Sequence, residues 1–257
     1  MLFWSRRRRG SQRGYFTVVE NNLAGEVFDP TLTTLVPTTV IWASSDGYTA
    51  VTTGTTHSVS YTVPANGPRT WNIYCGIGLS VIRTFDMNTD KVVHIDVSLL
   101  LYATSMTAHT NASLVMALTD LPVGLTYADF SSDSSLTAGS VSTLTLIRDL
   151  RLYSIGWNAA SIDIVLLSIS NAIHANVNHF TYATPSLQIG GTNAAPGGTP
   201  AAATTSPLVT PGSGNSDTDW QWDAGAGKHK ALTGMAAIWI MRNNTGHAWT
   251  VTATGVA

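Results

Sequence analysis

Charge is what this chain has least of. Only 11% of its 257 residues are Asp, Glu, Lys or Arg, against about a quarter in an ordinary soluble protein. A monomer usually keeps apart from its neighbours with a surface that is about 25–35% charged, so this body is poorly protected against association. Thr, Ser, Asn, Gly and Ala fill the vacated positions. A neutral, hydroxyl-bearing surface suits burial against other subunits, where every unpaired charge is costly to desolvate. Cysteine is nearly absent as well. Cys75 stands alone, which excludes an intrachain disulfide and leaves it as a small buried hydrophobe. No run approaches the roughly 20 apolar residues of a membrane helix, so no membrane span is expected. Met1-Leu2-Phe3-Trp4 ahead of Arg6, Arg7, Arg8 and Arg9 reverses the basic-then-apolar order of a signal peptide.

The motifs of common enzymes are missing too. There is no phosphate loop, no Gly-x-Ser-x-Gly elbow and no Cys-x-x-Cys pair. Gly76-Ile77-Gly78 lacks the third glycine and the distant acid of a dinucleotide site and reads as a turn. His94-Ile95-Asp96 is the main metal candidate, because residues two apart on a strand point the same way. With His174, His179 or His247 as third ligand, the tripeptide is similar to the His-x-Asp…His pattern of non-haem iron oxygenases. Nothing selects among the three histidines, and no basic residue follows His247 to hold a keto-acid. No catalytic residue, metal or cofactor is therefore expected. Asp219, Trp220, Trp222 and Asp223 form a second candidate, since carboxylates near exposed tryptophans can bind calcium or stack on a sugar ring.

What is present is a strand-like pattern. From Tyr15 onward, short runs rich in Val, Ile, Thr, Tyr and Trp alternate with Gly, Pro, Asn and Asp clusters. In Val92–Leu99, Val93, Ile95, Val97 and Leu99 share one face, and His94, Asp96 and Ser98 the other. The runs 161–170 and 236–242 are also expected as strands, the first because β-branched residues disfavour helix. Expected core positions are Val93, Ile95, Val97, Leu99, Leu144, Leu146, Ile162, Ile164, Trp239 and Val251. No internal repeat of fixed period emerges. The fold class expected is all-β: an antiparallel β-sandwich of jelly-roll or related Greek-key type. It would occupy 15–257 as one domain and carry a Gly/Pro/Ala/Thr-rich extended loop at 190–216.

Residues 1–14 read as a basic N-terminal arm that binds partners through Met1, Leu2, Phe3, Trp4, Arg6, Arg7, Arg8, Arg9 and Arg13. The four apolar residues suit a pocket on a neighbouring protein; the arginines suit carboxylates, or the phosphates of packaged nucleic acid. A basic arm, a charge-poor β body and a long draping loop together resemble structural proteins of virus and bacteriophage particles. That resemblance is one of architecture and composition, without a shared motif. It implies a non-enzymatic capsid, minor capsid or capsid decoration (cement) component. Such a protein would be made in the host cytoplasm without a signal peptide and located in the virion. Its partners would be other copies of itself, as a homo-oligomer with a trimer by analogy, and other virion proteins. The alternatives are a carbohydrate- or receptor-binding β-sandwich of a phage tail or fibre, and a metal-dependent jelly-roll enzyme.

Overall fold

The computed structural model describes residues 14–87, 91–97, 100–110, 114–198 and 218–256. The described residues begin with antiparallel strands, as the alternating pattern predicts. Strands β1 (Tyr15–Glu20), β2 (Val27–Phe28), β3 (Thr31–Ser44), β4 (Thr49–Ser58), β5 (Tyr61–Thr62) and β6 (Arg69–Cys75) are followed by β7 (Ile82–Asp86) and β8 (Val92–Ile95). Strand β6 lies between β1 and β3, β8 pairs the other side of β1, and β4 folds back on β3. The inward residues Phe16, Val18, Val40, Trp42, Trp71 and Ile73 are fully buried.

Beyond β7 the architecture changes. Strands β9 (Ser105–Thr107), β10 (Tyr127–Asp129), β11 (Asp149–Arg151), β12 (Ser186–Gln188) and, further on, β15 (Thr250–Thr252) stack in parallel on β7, each three residues long. Between β12 and β15 comes a small antiparallel hairpin of β13 (Trp220–Asp223) and β14 (Lys228–Ala231). The result is one mixed 11-stranded sheet, in which β3 joins the antiparallel part to the parallel ladder by pairing β7.

The ladder is a solenoid, because successive turns of chain repeat one apolar frame. The frames are Leu79, Ile82, Phe85 and Met87; Leu100, Ala103, Met106 and Ala108; Leu125, Ala128 and Phe130, with Pro122 ahead of them; and Leu144, Ile147, Leu150 and Leu152. All fifteen apolar side chains named outside Pro122 are buried, and the strand-centre residues Phe85, Met106, Ala128 and Leu150 stand in register from one coil to the next. The same tight turn recurs in each frame: Ala103 N–H donates to Leu100 O, Leu125 to Pro122 O, and Ile147 to Leu144 O, at 2.9–3.2 Å. Five coils also turn with a left-handed residue two positions past a buried apolar residue: Thr110, Ser132, Ser154, Gly191 and Gly255, after Ala108, Phe130, Leu152, Ile189 and Ala253, at φ 59–75°. Three of these are not glycine, which is uncommon enough to mark a corner imposed by the repeat.

These findings overturn the all-β sandwich. The molecule is of α/β type, with parallel pairing and, among the described residues, two α-helices, α1 (Ala159–Ala175) and α2 (Gly234–Arg242). Helix α1 covers the expected strand at 161–170. Its buried residues Ile162, Val165, Leu166, Ile169 and Ile173 follow helical spacing, whereas Ile164, which completed the apparent alternation, is 49% exposed. The Asn158 side chain caps the helix by accepting the Ser161 N–H at 2.9 Å. Packing of the apolar stripe outweighs the weak helix propensity of Ile and Val. Helix α2 likewise replaces the expected strand at 236–242, capped by Thr233, and the two helices pack on each other. Ile95, Val97, Leu144, Ile162 and Val251 are in the core as expected, while Val93 and Trp239 are only half-buried and Leu146 is exposed. Leu99 and residues 199–217 of the expected loop lie outside the described residues. The frame spacing of three explains Leu146: the inward residues of that coil are Leu144, Ile147 and Leu150.

Candidate functional site

In each three-residue strand of the ladder the middle side chain enters the core, so the two flanking side chains line the opposite face, where most are half-buried and Asp129 is buried. Register fixes two columns. One runs Thr84, Ser105, Tyr127, Asp149, Ser186, Thr250; the other runs Asp86, Thr107, Asp129, Arg151, Gln188, Thr252. At both ends the columns are mainly small hydroxyl residues. At the centre, in β10 and β11, they become aromatic and charged.

Arg151 organises that centre. Its Nε donates to Asp149 Oδ2 at 3.0 Å and its Nη2 lies 2.9 Å from the same oxygen, while Nη1 is 3.8 Å from Asp129 Oδ2. The guanidinium sits 5.3 Å from the centre of the Tyr127 ring, within the range of a cation–π contact. Ser186 Oγ donates to the other Asp149 oxygen at 2.5 Å, and Asp129 accepts the Ser131 N–H at 3.0 Å. One position before Asp149, the exposed Arg148 lies 5.1 Å from the centre of the Tyr182 ring. Tyr153, 45% exposed, flanks the patch two residues past Arg151.

The titrating groups respond to these neighbours. Burial, and then the Asp129 carboxylate, push the Tyr127 phenol upward. The hydrogen bond to Asp149 raises Arg151 further against a smaller opposing effect of burial. Both keep their ordinary charge at neutral pH, with Tyr127 neutral and Arg151 cationic.

None of these residues stood out in the sequence, because each is ordinary on its own. The signal was the frame: Tyr127 and Asp149 hold the same position in coils 22 residues apart, as do Asp129 and Arg151. The residues that did stand out are placed elsewhere. Met1, Leu2, Phe3, Trp4, Arg6, Arg7, Arg8, Arg9 and Arg13 lie outside the described residues. Trp220 is only 5% exposed and packs edge-on against Trp239, so it offers no open face to a sugar. Trp222 is half-buried against His229. Asp219 is buried and accepts the Thr233 hydroxyl proton. Asp223 pairs with His174 Nε2 at 3.0 Å, beside a cleft of about 390 Å³ between the ends of α1 and α2 and the β13–β14 turn. His94 is exposed on β8, with Nδ1 3.4 Å from Val115 O. His179 bonds Ser142 O, and His247 bonds Tyr182 O. Each candidate third ligand is thus engaged elsewhere, and among the described residues no three His, Cys, Asp or Glu side chains are grouped to hold a metal ion. Among them, too, no helix is long and apolar enough to cross a membrane. No family model matches the chain, and no curated protein or solved structure matches it.

Proposed function

We propose that the protein is a non-catalytic recognition and assembly protein that binds a protein partner through the face of its parallel ladder opposite the core. The concentration of Tyr127, Arg148, Asp149, Arg151, Tyr153 and Tyr182 in neighbouring coils, within a face whose ends are mainly Thr and Ser with Asp86 and Gln188 among them, carries this reading. Tyr and Arg dominate the few residues that supply most of the energy of protein interfaces, and Tyr does so at low entropic cost. Strands of a solenoid hold such groups rigidly and present them over an extended surface. Catalysis is the weaker reading of this patch. A general acid or base is most effective when its pKa lies near the working pH, and the shifts of Tyr127 and Arg151 both lead away from it.

The setting we propose for this partner is a virus or bacteriophage particle, with another virion protein bound at the ladder. That part is supported by the basic start and the charge-poor composition. Cross-linking of particles carrying the wild-type chain tests both parts. Cross-links from the ladder face to a second particle protein are expected, and incorporation should fall for Tyr127→Ala/Arg151→Ala. Unchanged incorporation of a folded double variant would overturn the ladder as binding face.

A further inference from the structure

A second surface lies on the antiparallel part of the sheet. Register places Val51 of β4 opposite Ile41 of β3, Ile41 opposite Tyr74 of β6, and Tyr74 opposite Tyr15 of β1. Directly paired residues project from the same face, so these four side chains form one straight row across four strands. They are 61%, 38%, 37% and 47% exposed in that order. The row spans three strand spacings, about 14 Å. Scattered exposed hydrophobes need no explanation, but a contiguous row of large ones marks an interaction surface.

The flanks are neutral along β4, β3 and β6, and Asp96 stands beside Thr17 at the far edge of the flanking row. Thr49, Ala43, Asn72 and Thr17 form the row on one side, and Thr39 and Thr53 stand on the other. No Asp, Glu, Lys or Arg belongs to these ten positions. The opposite face of the same strands carries the buried Phe16, Trp42 and Ile73, so the core fixes the backbone beneath the row.

We propose that this row is a homotypic interface, which a second copy of the chain covers face to face about a two-fold axis. Two observations favour that occupant. The row is graded, aliphatic at Val51 and Ile41 and aromatic at Tyr74 and Tyr15. A two-fold passing between Ile41 and Tyr74 lays the aromatic half of each copy on the aliphatic half of the other, the reciprocal arrangement that an isologous dimer requires. The lack of charge at these ten positions is the second: identical charged rows would repel, whereas these meet their own copies without like-charge repulsion. A polar ligand is a poorer fit, because Val51 and Ile41 offer nothing to hydrogen-bond. The patch, roughly 20 Å in each direction, is smaller than the ~800 Å² per partner of a standard interface. The dimer is therefore weak and concentration-dependent.

Sedimentation equilibrium of the full chain from about 5 to 500 µM, a range suited to weak association, tests this. Wild type should pass from monomer to dimer across that range. Ile41→Lys and Tyr74→Glu, both on the exposed face and checked for unchanged circular dichroism, should each remain monomeric. Because the two-fold sets Ile41 of one copy against Tyr74 of the other, mixing the two variants should restore a heterodimer by pairing the introduced lysine with the introduced glutamate. A wild type that stays monomeric at the highest concentration overturns the proposal, and so does an oligomer that neither variant weakens. Loss in both variants without recovery on mixing overturns the two-fold arrangement.

Discussion

Asn193 accepts the backbone N–H of Trp157 at 3.0 Å, and its own amide donates to the carbonyls of Leu152 and Ile189 at 2.8 and 2.9 Å. One side chain, 2% exposed, thus ties together the backbones of two successive coils and the loop entering α1. Leaving a single buried backbone group unpaired costs about 1–3 kcal/mol. Asn193→Ala strands three and should lower the unfolding free energy by about 3 kcal/mol, read as a fall in the urea midpoint. Asn193→Asp should not rescue it, because it removes the double donor and buries a charge.

A second stabilising group sits at the far end of the sheet. Burial tends to raise the pKa of Asp46, but hydrogen bonds from Ser44, Tyr61 and Arg69 and the Tyr48 N–H outweigh it and hold the carboxyl at about 2. Arg69 reaches Asp46 at 2.8 Å and Glu20 at 3.5 Å. A carboxyl depressed on folding stabilises the protein above its unfolded pKa, near 4, and loses that contribution as pH falls toward 2. Unfolding of wild type should therefore show declining stability between about pH 4 and 2. Asp46→Asn should be less stable at pH 7 and lose less over that window.

The antiparallel strands were legible in the sequence because one face of β1, β3 and β6 is buried and the other exposed, which writes itself as alternation. The solenoid was not. A three-residue strand contributes only one inward residue, too few for a period of two to appear. The repeat itself is blurred by substitution of size: the equivalent strand centres are Phe85, Met106, Ala128, Leu150, Leu187 and Val251, with α1 and the β13–β14 hairpin inserted between the last of them. In α1, the alternation of Ile162 and Ile164 mimicked a strand, although Asn158 three residues before Ser161 was a readable cap. The recognition patch shared the fate of the repeat, since only the coil frame brings Tyr127 and Arg151 together.

That cap makes the helix assignment testable. Asn158→Ala removes the acceptor for the Ser161 N–H and should cost about 1 kcal/mol, whereas Asn158→Asp or Asn158→Ser should be close to neutral. Thermal unfolding followed by circular dichroism at 222 nm would register the difference. A neutral Asn158→Ala would argue against a helix beginning at this position.

The coil corner at Gly191 is more demanding. Its φ is +75°, and a Cβ there would come within 2.7 Å of the Tyr153 ring carbon Cζ, as well as meeting Ser154 Oγ. Gly191→Ala combines backbone strain of about 1–2 kcal/mol with displacement of Tyr153, and should lower the thermal midpoint. Because Tyr153 flanks the recognition patch, partner binding should weaken in the same variant.

Arg151→Ala separates binding from folding most cleanly. The Arg151 side chain is 38% exposed, so solvent screens its pairs with Asp149 and Asp129, and pairs of this kind contribute about 0–1 kcal/mol to stability. Its removal nonetheless leaves two carboxylates without their shared cation and the Tyr127 ring without its guanidinium. A partner contacting the patch would then meet an acidic, less ordered surface. Truncating a central interface residue commonly costs 2 kcal/mol or more, about thirtyfold in affinity at that value. Arg151→Ala should thus melt within a few degrees of wild type while losing most of its partner affinity by isothermal titration. Arg151→Lys should recover little, since a lysine cannot reproduce the paired donors or the stacked plane. Thr84→Ala, at the equivalent strand face near the hydroxyl end of the ladder, should bind normally. If it weakened binding as much as Arg151→Ala, affinity would be spread along the whole ladder rather than focused at β10 and β11.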